Sequence, residues 1–249
     1  MKYKALMLDI DGTLIGAKDS LPSQKVTDAV HKANKKLHVG LATSRSVAAM
    51  KRILDQLEID GPSIIQGGCR IIDSRTAVIL WEQTMLPDDL QQAAKILIDL
   101  QIPFVINDDG KYYPYGDQYQ LFKPLHIWIK EALPLIVGEK ILAAVSPIAT
   151  ISATLMPIHG NPDKVEILMT HALATKQHGI LEVAKLLKIE TDEIIGIGDG
   201  YNDFPLLMAC GLKIAMGNAG DPLKSIADYV APSVDEDGVA DAIEKYILK

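Results

Sequence analysis

The chain has 249 residues, 48% of them hydrophobic, and a formal net charge of −7. That hydrophobic share is ample for a buried core, in one large domain or two smaller ones, and excludes a disordered chain. The acidic balance, without any dense Lys/Arg block, argues against a broad nucleic-acid footprint and points to small-molecule partners.

The nearest basic group, Lys32, Lys35 and Lys36, falls at an expected helix end, where cations meet the negative pole of the helix. Cys69 and Cys210 stand far apart without ligand-like spacing, which reads as two packing thiols in a reducing, cytoplasmic setting; any metal is then held by oxygen. The acidic pair Asp9 and Asp11 arrives before a signal-peptide apolar segment would fit.

In chain order, "ALML" at residues 5–8 predicts a buried strand, and its end carries Asp9 and Asp11, followed by Gly12 and Thr13. Residues i and i+2 of a strand share a face, so both carboxylates are expected to point into one small volume, with a cation between them. "SLPSQKVTDAVHKANKK" predicts a helix, with Val26, Ala29, Val30 and Ala33 on one face. "HVGLATS" predicts a second strand ending near Thr43, and Val47, Met50, Ile53, Leu54 and Leu57 mark a second helix. The alternation resumes with a helix at about 180–187, the strand "EIIGIGD", a helix from about Asn202 to Cys210 and the strand "LKIAMGN". Strands alternating with helices predict an α/β fold: a parallel sheet covered on both faces, with ligands at the carboxyl ends of the strands.

The middle of the chain reads differently, as an inserted α+β domain. It offers the helix "PDDLQQAAKILIDL", an extended pair around "FVINDDGKYYPY" turning at Asp109-Gly110, a helical stretch at 130–144, and the strand-like runs "ATISATLM" and "KVEILMT". Most aromatic residues lie here, including Tyr112, Tyr113, Tyr115, Tyr119, Phe122 and Trp128. The uncharged run at 141–160 is long enough for a bilayer span, but Pro147, Pro157 and its β-branched content favour a strand. His126, His159, His171 and His178 lack metal-ligand spacing and read as surface or core polar residues.

A second acidic cluster, Asp199, Asn202 and Asp203, follows "EIIGIG". In one parallel sheet it meets Asp9 and Asp11 at the carboxyl edge, and several hard oxygen ligands together favour Mg²⁺. Beside such a cation Asp9 could attack a phosphate ester and Asp11 could serve as general acid and base. Thr43 and Lys176 offer a hydroxyl and a compact cation to the phosphoryl oxygens, and Gly12 lets backbone amides approach them. Each piece alone also has a structural reading: a turn, a strand-end hydroxyl, a solvated lysine or a helix cap.

Taken in order, "DIDGTL", "LATSR", "TKQHGI" and "GIGDGYNDFPLL" resemble the haloacid dehalogenase (HAD) superfamily of phosphohydrolases, in particular its Cof-type sugar-phosphate phosphatases. The resemblance implies a Rossmann-like core from 1–80 and 173–249 with an inserted cap at 81–172. It also implies Asp9 as nucleophile, Asp11 as general acid/base, and Thr43 and Lys176 on the phosphoryl group, with Asn202 supporting the Asp199–Asp203 loop and touching the phosphate. Mg²⁺ would be held by Asp9, the Asp11 backbone carbonyl, Asp199 and Asp203. Two departures, "QGGCR" at 66–70 and Ser44 between Thr43 and Arg45, lie next to the expected substrate entrance; Arg45 is a candidate substrate contact there. The implied activity is Mg²⁺-dependent hydrolysis of a small phosphorylated metabolite through an aspartyl-phosphate. A phosphomannomutase-like phosphotransferase, a phospho-accepting regulatory module and a non-catalytic binder are the alternatives. The cap turn at 108–111, or the tyrosine-rich run after it, is the expected contact for the leaving group.

Overall fold

The structure is a computed structural model that describes residues 2–18, 20–114, 121–158 and 161–249. The chain divides into two units, residues 1–81 with 176–249, and residues 82–175.

The first unit begins with β1 (Ala5–Leu8), α1 (Gln24–Asn34), β2 (His38–Leu41), α2 (Val47–Leu57), β3 (Pro62–Ile65), β4 (Arg70–Asp73) and β5 (Ile79–Glu82), the last strand ending at the boundary. The second unit holds α3 (Pro87–Asp99), β6 (Val105–Asp108), β7 (Lys111–Pro114), β8 (Pro124–Pro134), α4 (Leu135–Val145), β9 (Ile151–Ile158) and β10 (Asn161–His171). The chain returns to the first unit with α5 (Lys176–Leu187), β11 (Ile194–Gly198), α6 (Phe204–Ala209), β12 (Leu212–Ala215), α7 (Asp221–Ser225), β13 (Tyr229–Val230) and α8 (Gly238–Tyr246).

Five strands of the first unit form a parallel sheet in the order β13-β12-β11-β1-β2. Strand parity explains why its strands are apolar throughout: Leu6 and Leu8 of β1 pack into one cluster with Val30 of α1, Ile53 of α2 and Ile243 of α8. Ala5 and Met7 point the other way, onto Ile180 and Val183 of α5 and Leu206 of α6. Burial on both faces fixes the register, since a slip of one residue would exchange the two sets. β1 lies between β11 and β2, so the loops after these three strands share one edge of the sheet. β3, β4 and β5 form a separate three-stranded sheet, joined to the end of β2 by a parallel bridge between Ala42 and Ile64.

The second unit has a five-stranded sheet in the order β7-β6-β8-β10-β9, all of it antiparallel. Ile127 and Ile129 of β8 join Ile106, Ile167 and Met169 in a core with Leu97 of α3 and Ile141 of α4. The expected β6–β7 turn is present; Asp109 and Gly110 have φ of 49° and 89°, and the Gly110 N–H donates to Asn107 Oδ1. One expectation is corrected: residues 130–134, expected to be helical, belong to β8, and the helix begins only at Leu135. Pro134 decides the boundary, because its fixed φ of −56° suits the position before the first helical turn while its missing N–H ends the ladder. Among the described residues no helix is long and apolar enough to cross a membrane, and most of the uncharged run at 141–160 is divided between α4 and β9. Tyr115, Tyr119 and His159 lie outside the described residues.

Candidate active site

β1 delivers Asp9, whose N–H continues the ladder by donating to Ile197 O of β11 at 3.0 Å. Its carboxylate is 5% exposed and accepts from Lys176 Nζ through Oδ1 at 2.6 Å. Lys176, 2% exposed in the first turn of α5, gives a second 2.6 Å bond to Asp203 Oδ1. Asp203 is fully buried, and its other oxygen accepts from the N–H groups of Asp199 (3.0 Å) and Gly200 (2.9 Å), which folds the loop after β11 back on itself. Asp199 in turn accepts from Thr13 Oγ1 (2.9 Å) and Asn218 Nδ2 (3.2 Å).

Between Asp9 and this loop the backbone makes a tight turn, with the N–H groups of Thr13, Leu14 and Ile15 all donating to Ile10 O. Gly12 has φ +83°, and a Cβ there would stand 2.0 Å from Asp199 Oδ2, so both backbone and space demand glycine. Asn218, just beyond β12, ties three parts together: its Nδ2 donates to Gly12 O (2.8 Å) and to Asp199, and its Oδ1 accepts from Val234 N.

The structure thus brings Asp9, Lys176, Asp199 and Asp203 together and sets Asp11 apart. The i, i+2 parity ends with β1, because residues 10–15 turn; Asp11 pairs with Ile15 in a bridge, and its carboxylate meets Arg45 instead of the acidic cluster. Arg45 Nε donates to Oδ2 at 2.9 Å and Nη2 to Oδ1 at 2.6 Å, a fork-on-carboxylate pair. In this structure Asp9 is paired with the Lys176 ammonium and Asp11 with the Arg45 guanidinium, so the two carboxylates share no protein cation. Thr43 is buried two residues beyond β2, and its Oγ1 accepts from Arg45 N at 3.1 Å. Asn202 lies in the short 3-10 turn Tyr201–Asp203 with its side-chain oxygen against Gly200. Gln66 opens the departure from the family pattern with φ 52°, its N–H donating to Arg45 O at 3.0 Å.

Sequence reasoning assigned no role to Thr13 and Asn218. The signal for Asn218 was present, since it follows a strand of the same sheet as Asp9 and Asp199 do.

Asp9, Asp199 and Asp203 each place one carboxylate oxygen within 4.8 Å of the others. Burial, then repulsion from Asp203 and Asp199, raises the Asp9 carboxyl well above its ordinary range against the pull of Lys176. The same two causes, burial first and then Asp203, push Asp199 up to about 7 against its bond from Thr13. Burial alone would lower the Lys176 ammonium, but Asp203 and Asp9 outweigh it and raise it above its ordinary value. Lys176 is therefore the fixed cation, and the uncompensated negative charge falls on Asp9 and Asp199. Three carboxylates against one ammonium leave two negative charges, which one divalent cation balances. An all-oxygen set with few carboxylates suits a small, hard ion, so these residues fit a divalent metal.

The family model for haloacid dehalogenase-like hydrolases matches residues 6–133 and 151–243. The chain belongs to that family of hydrolases. It is 28% identical over 286 residues to the 5-amino-6-(5-phospho-D-ribitylamino)uracil phosphatase YwtE of Bacillus subtilis (strain 168), covering 98% of each chain. Its fold matches that of the HAD phosphatase BT1666 from Bacteroides thetaiotaomicron with a TM-score of 0.83 at 20% identity, over 98% of this chain and 94% of that one. It also matches the HAD subclass IIB sugar phosphatase BT4131 with a TM-score of 0.81 at 21% identity, over 98% of both.

Proposed function

We propose that the protein is a Mg²⁺-dependent phosphatase that hydrolyses a small phosphorylated metabolite, a sugar phosphate, through an aspartyl-phosphate on Asp9. The observation that carries this reading is the convergence of buried Asp9, Lys176 and Asp203 with half-buried Asp199, after two neighbouring strands and at the head of one helix.

Lys176 occupies Oδ1 of Asp9, which leaves Oδ2 as the attacking oxygen. As that oxygen bonds to phosphorus, the ester oxygen departs and takes a proton from Asp11. The water that later cleaves the acyl phosphate gives its proton back to Asp11. Thr43 Oγ1 and the Lys176 ammonium stabilise the outer phosphoryl oxygens, joined by Gly12, whose lack of a side chain opens the turn to the phosphate. Asn202 supports the loop that carries Asp203. Mg²⁺ would be held by the carboxylates of Asp9, Asp199 and Asp203 and the backbone carbonyl of Asp11, and when bound it supplies charge neutralisation at the transferring group.

The second unit is read as the inserted cap that selects among leaving groups, through the turn at 108–111 or the tyrosine-rich run after it. A sugar phosphate is favoured by the similarity to BT4131, and two cysteines far apart in the chain without ligand-like spacing favour the cytoplasm. The test is phosphate release from a panel of sugar phosphates and p-nitrophenyl phosphate, with Mg²⁺ or with chelator. Mg²⁺-dependent release that is greatest on one sugar phosphate is expected. Isomerised sugar phosphate without free phosphate would replace hydrolysis by phosphotransfer, and release unaffected by chelator would overturn the metal's role.

A further inference from the structure

We propose that Arg45 is a positioning residue for Asp11, holding the proton-transferring carboxylate at the edge of the site, and that it does not bind the substrate. The inference rests on the reading of Asp11 as general acid and base, and it gives Arg45 a role that the sequence placed on the substrate side.

Three contacts define Arg45. Its Nε and Nη2 straddle the Asp11 carboxylate at 2.9 and 2.6 Å, its Nη1 reaches Ala49 O in the first turn of α2 at 3.4 Å, and its backbone N–H donates to Thr43 Oγ1. The side chain is therefore a strut between the start of α2 and the turn that follows Asp9. Asp11 needs one. Its side chain is 61% exposed, it sits outside the Asp9–Asp199–Asp203 cluster, and Arg45 supplies the only side-chain bonds that hold it among the described residues. A carboxylate so exposed would otherwise sample several rotamers, and a proton transfer demands one.

The fork also suits the task. Each Asp11 oxygen accepts one N–H and keeps a second lone pair, so one oxygen can carry the proton while the other stays on the guanidinium. A fixed planar fork sets the orientation of the carboxylate, which a single ammonium cannot do. Three of the five guanidinium N–H groups are already engaged, two on Asp11 and one on Ala49 O, so its Nε–Nη2 edge cannot fork onto a phosphate without leaving Asp11.

Loss of an acid that protonates the departing oxygen slows esters of weakly acidic alcohols and phenols most, because a strongly acidic leaving group departs without help. The experiment compares wild type, Arg45→Ala, Arg45→Lys and Asp11→Asn on phenyl phosphate and p-nitrophenyl phosphate, two esters of similar shape whose phenols differ widely in acidity. Phosphoenzyme formation is followed in the burst phase with Mg²⁺ present, and thermal unfolding confirms folding. Arg45→Ala is expected to lose about tenfold on phenyl phosphate, short of the roughly 10²-fold loss typical of removing a general acid outright. Its loss on p-nitrophenyl phosphate should be clearly smaller, and its KM unchanged on both. Arg45→Lys should recover part of the loss, and adding Arg45→Ala to Asp11→Asn should cost nothing more. Equal losses on both esters with a raised KM would assign Arg45 to substrate binding, and no loss on either would show the ion pair idle; each outcome overturns the proposal. Asp11→Asn without effect on either ester would instead sink the underlying role of Asp11, and so separates the two failures.

Discussion

Replacing Lys176 by Met is the most exacting perturbation of the charge arrangement, because the methionine keeps an unbranched, flexible stem, one atom shorter, and deletes the ammonium with its donors. In the metal-free protein the change leaves buried Asp9 and Asp203 and half-buried Asp199 crowded with no cation, and both 2.6 Å bonds are lost. Removing one partner of a buried ion pair typically costs about 3–5 kcal/mol, a large part of the roughly 5–15 kcal/mol that stabilises a folded chain. Here the cost should depend on pH in a defined direction. Asp9 and Asp199 have folded pKa values raised above the unfolded carboxylate, so the folded state binds the extra protons; through Asp199 stability falls as pH rises from about 4 to about 7, and Asp9, raised in the same direction, adds to the fall. Loss of the lysine raises both carboxyls further and steepens that fall. Denaturant unfolding with chelator at pH 7.5 and pH 5 should show the full loss at the higher pH and a smaller one at the lower. A variant as stable as wild type at pH 7.5 would refute the reasoning, since the lysine would then not be compensating buried charge.

Other consequences follow from the same geometry. Mg²⁺ binding must displace the proton that Asp199 holds up to about 7, so calorimetric affinity should weaken as pH drops below 7, with proton release on binding. Asn218→Ala frees both Gly12 O and Asp199 Oδ2 and should weaken metal affinity by about 10–100-fold with little change in fold, read by Mg²⁺ titration and circular dichroism. Gly12→Ala drives a methyl onto Asp199 in a φ +83° backbone and should abolish turnover and lower the melting temperature. His126 of β8 is 1% exposed with no hydrogen bond to either ring nitrogen among the described residues, and burial, then Lys130, lowers its pKa to about 3. Its unfolded form takes up a proton near pH 6.5 that the folded form refuses, so His126→Phe should be neutral or stabilising and should flatten the loss of stability between pH 6.5 and 3.

The parts of this structure legible in the sequence are those governed by period. The apolar runs at Ala5–Leu8 and Ile194–Gly198 read as buried parallel strands because both faces are covered, and the residues just past their ends, Asp9 and Asp199, fall at the same sheet edge. The fork between Asp11 and Arg45 was not legible. Strand parity predicts direction only while the strand lasts, and the turn at 10–15 rotates Asp11 away from Asp9. Residues 130–134 were misassigned because β8 runs for 11 residues up to Pro134, and its alternation merges into the apolar start of α4. The threefold attachment of Asn218 depends on contacts 16, 19 and 206 residues away along the chain, which no local pattern records.

The central claim is that Asp9 carries the phosphoryl group during turnover. Intact-protein and peptide mass analysis of acid-quenched reactions, run with Mg²⁺ on wild type and on Asp9→Asn, tests it directly. The account predicts one phosphoryl group on the peptide containing Asp9 in wild type, and neither phosphoenzyme nor phosphate release in the folded, Mg²⁺-loaded variant. Undiminished release by Asp9→Asn, or a phosphoryl group on another residue, would contradict it.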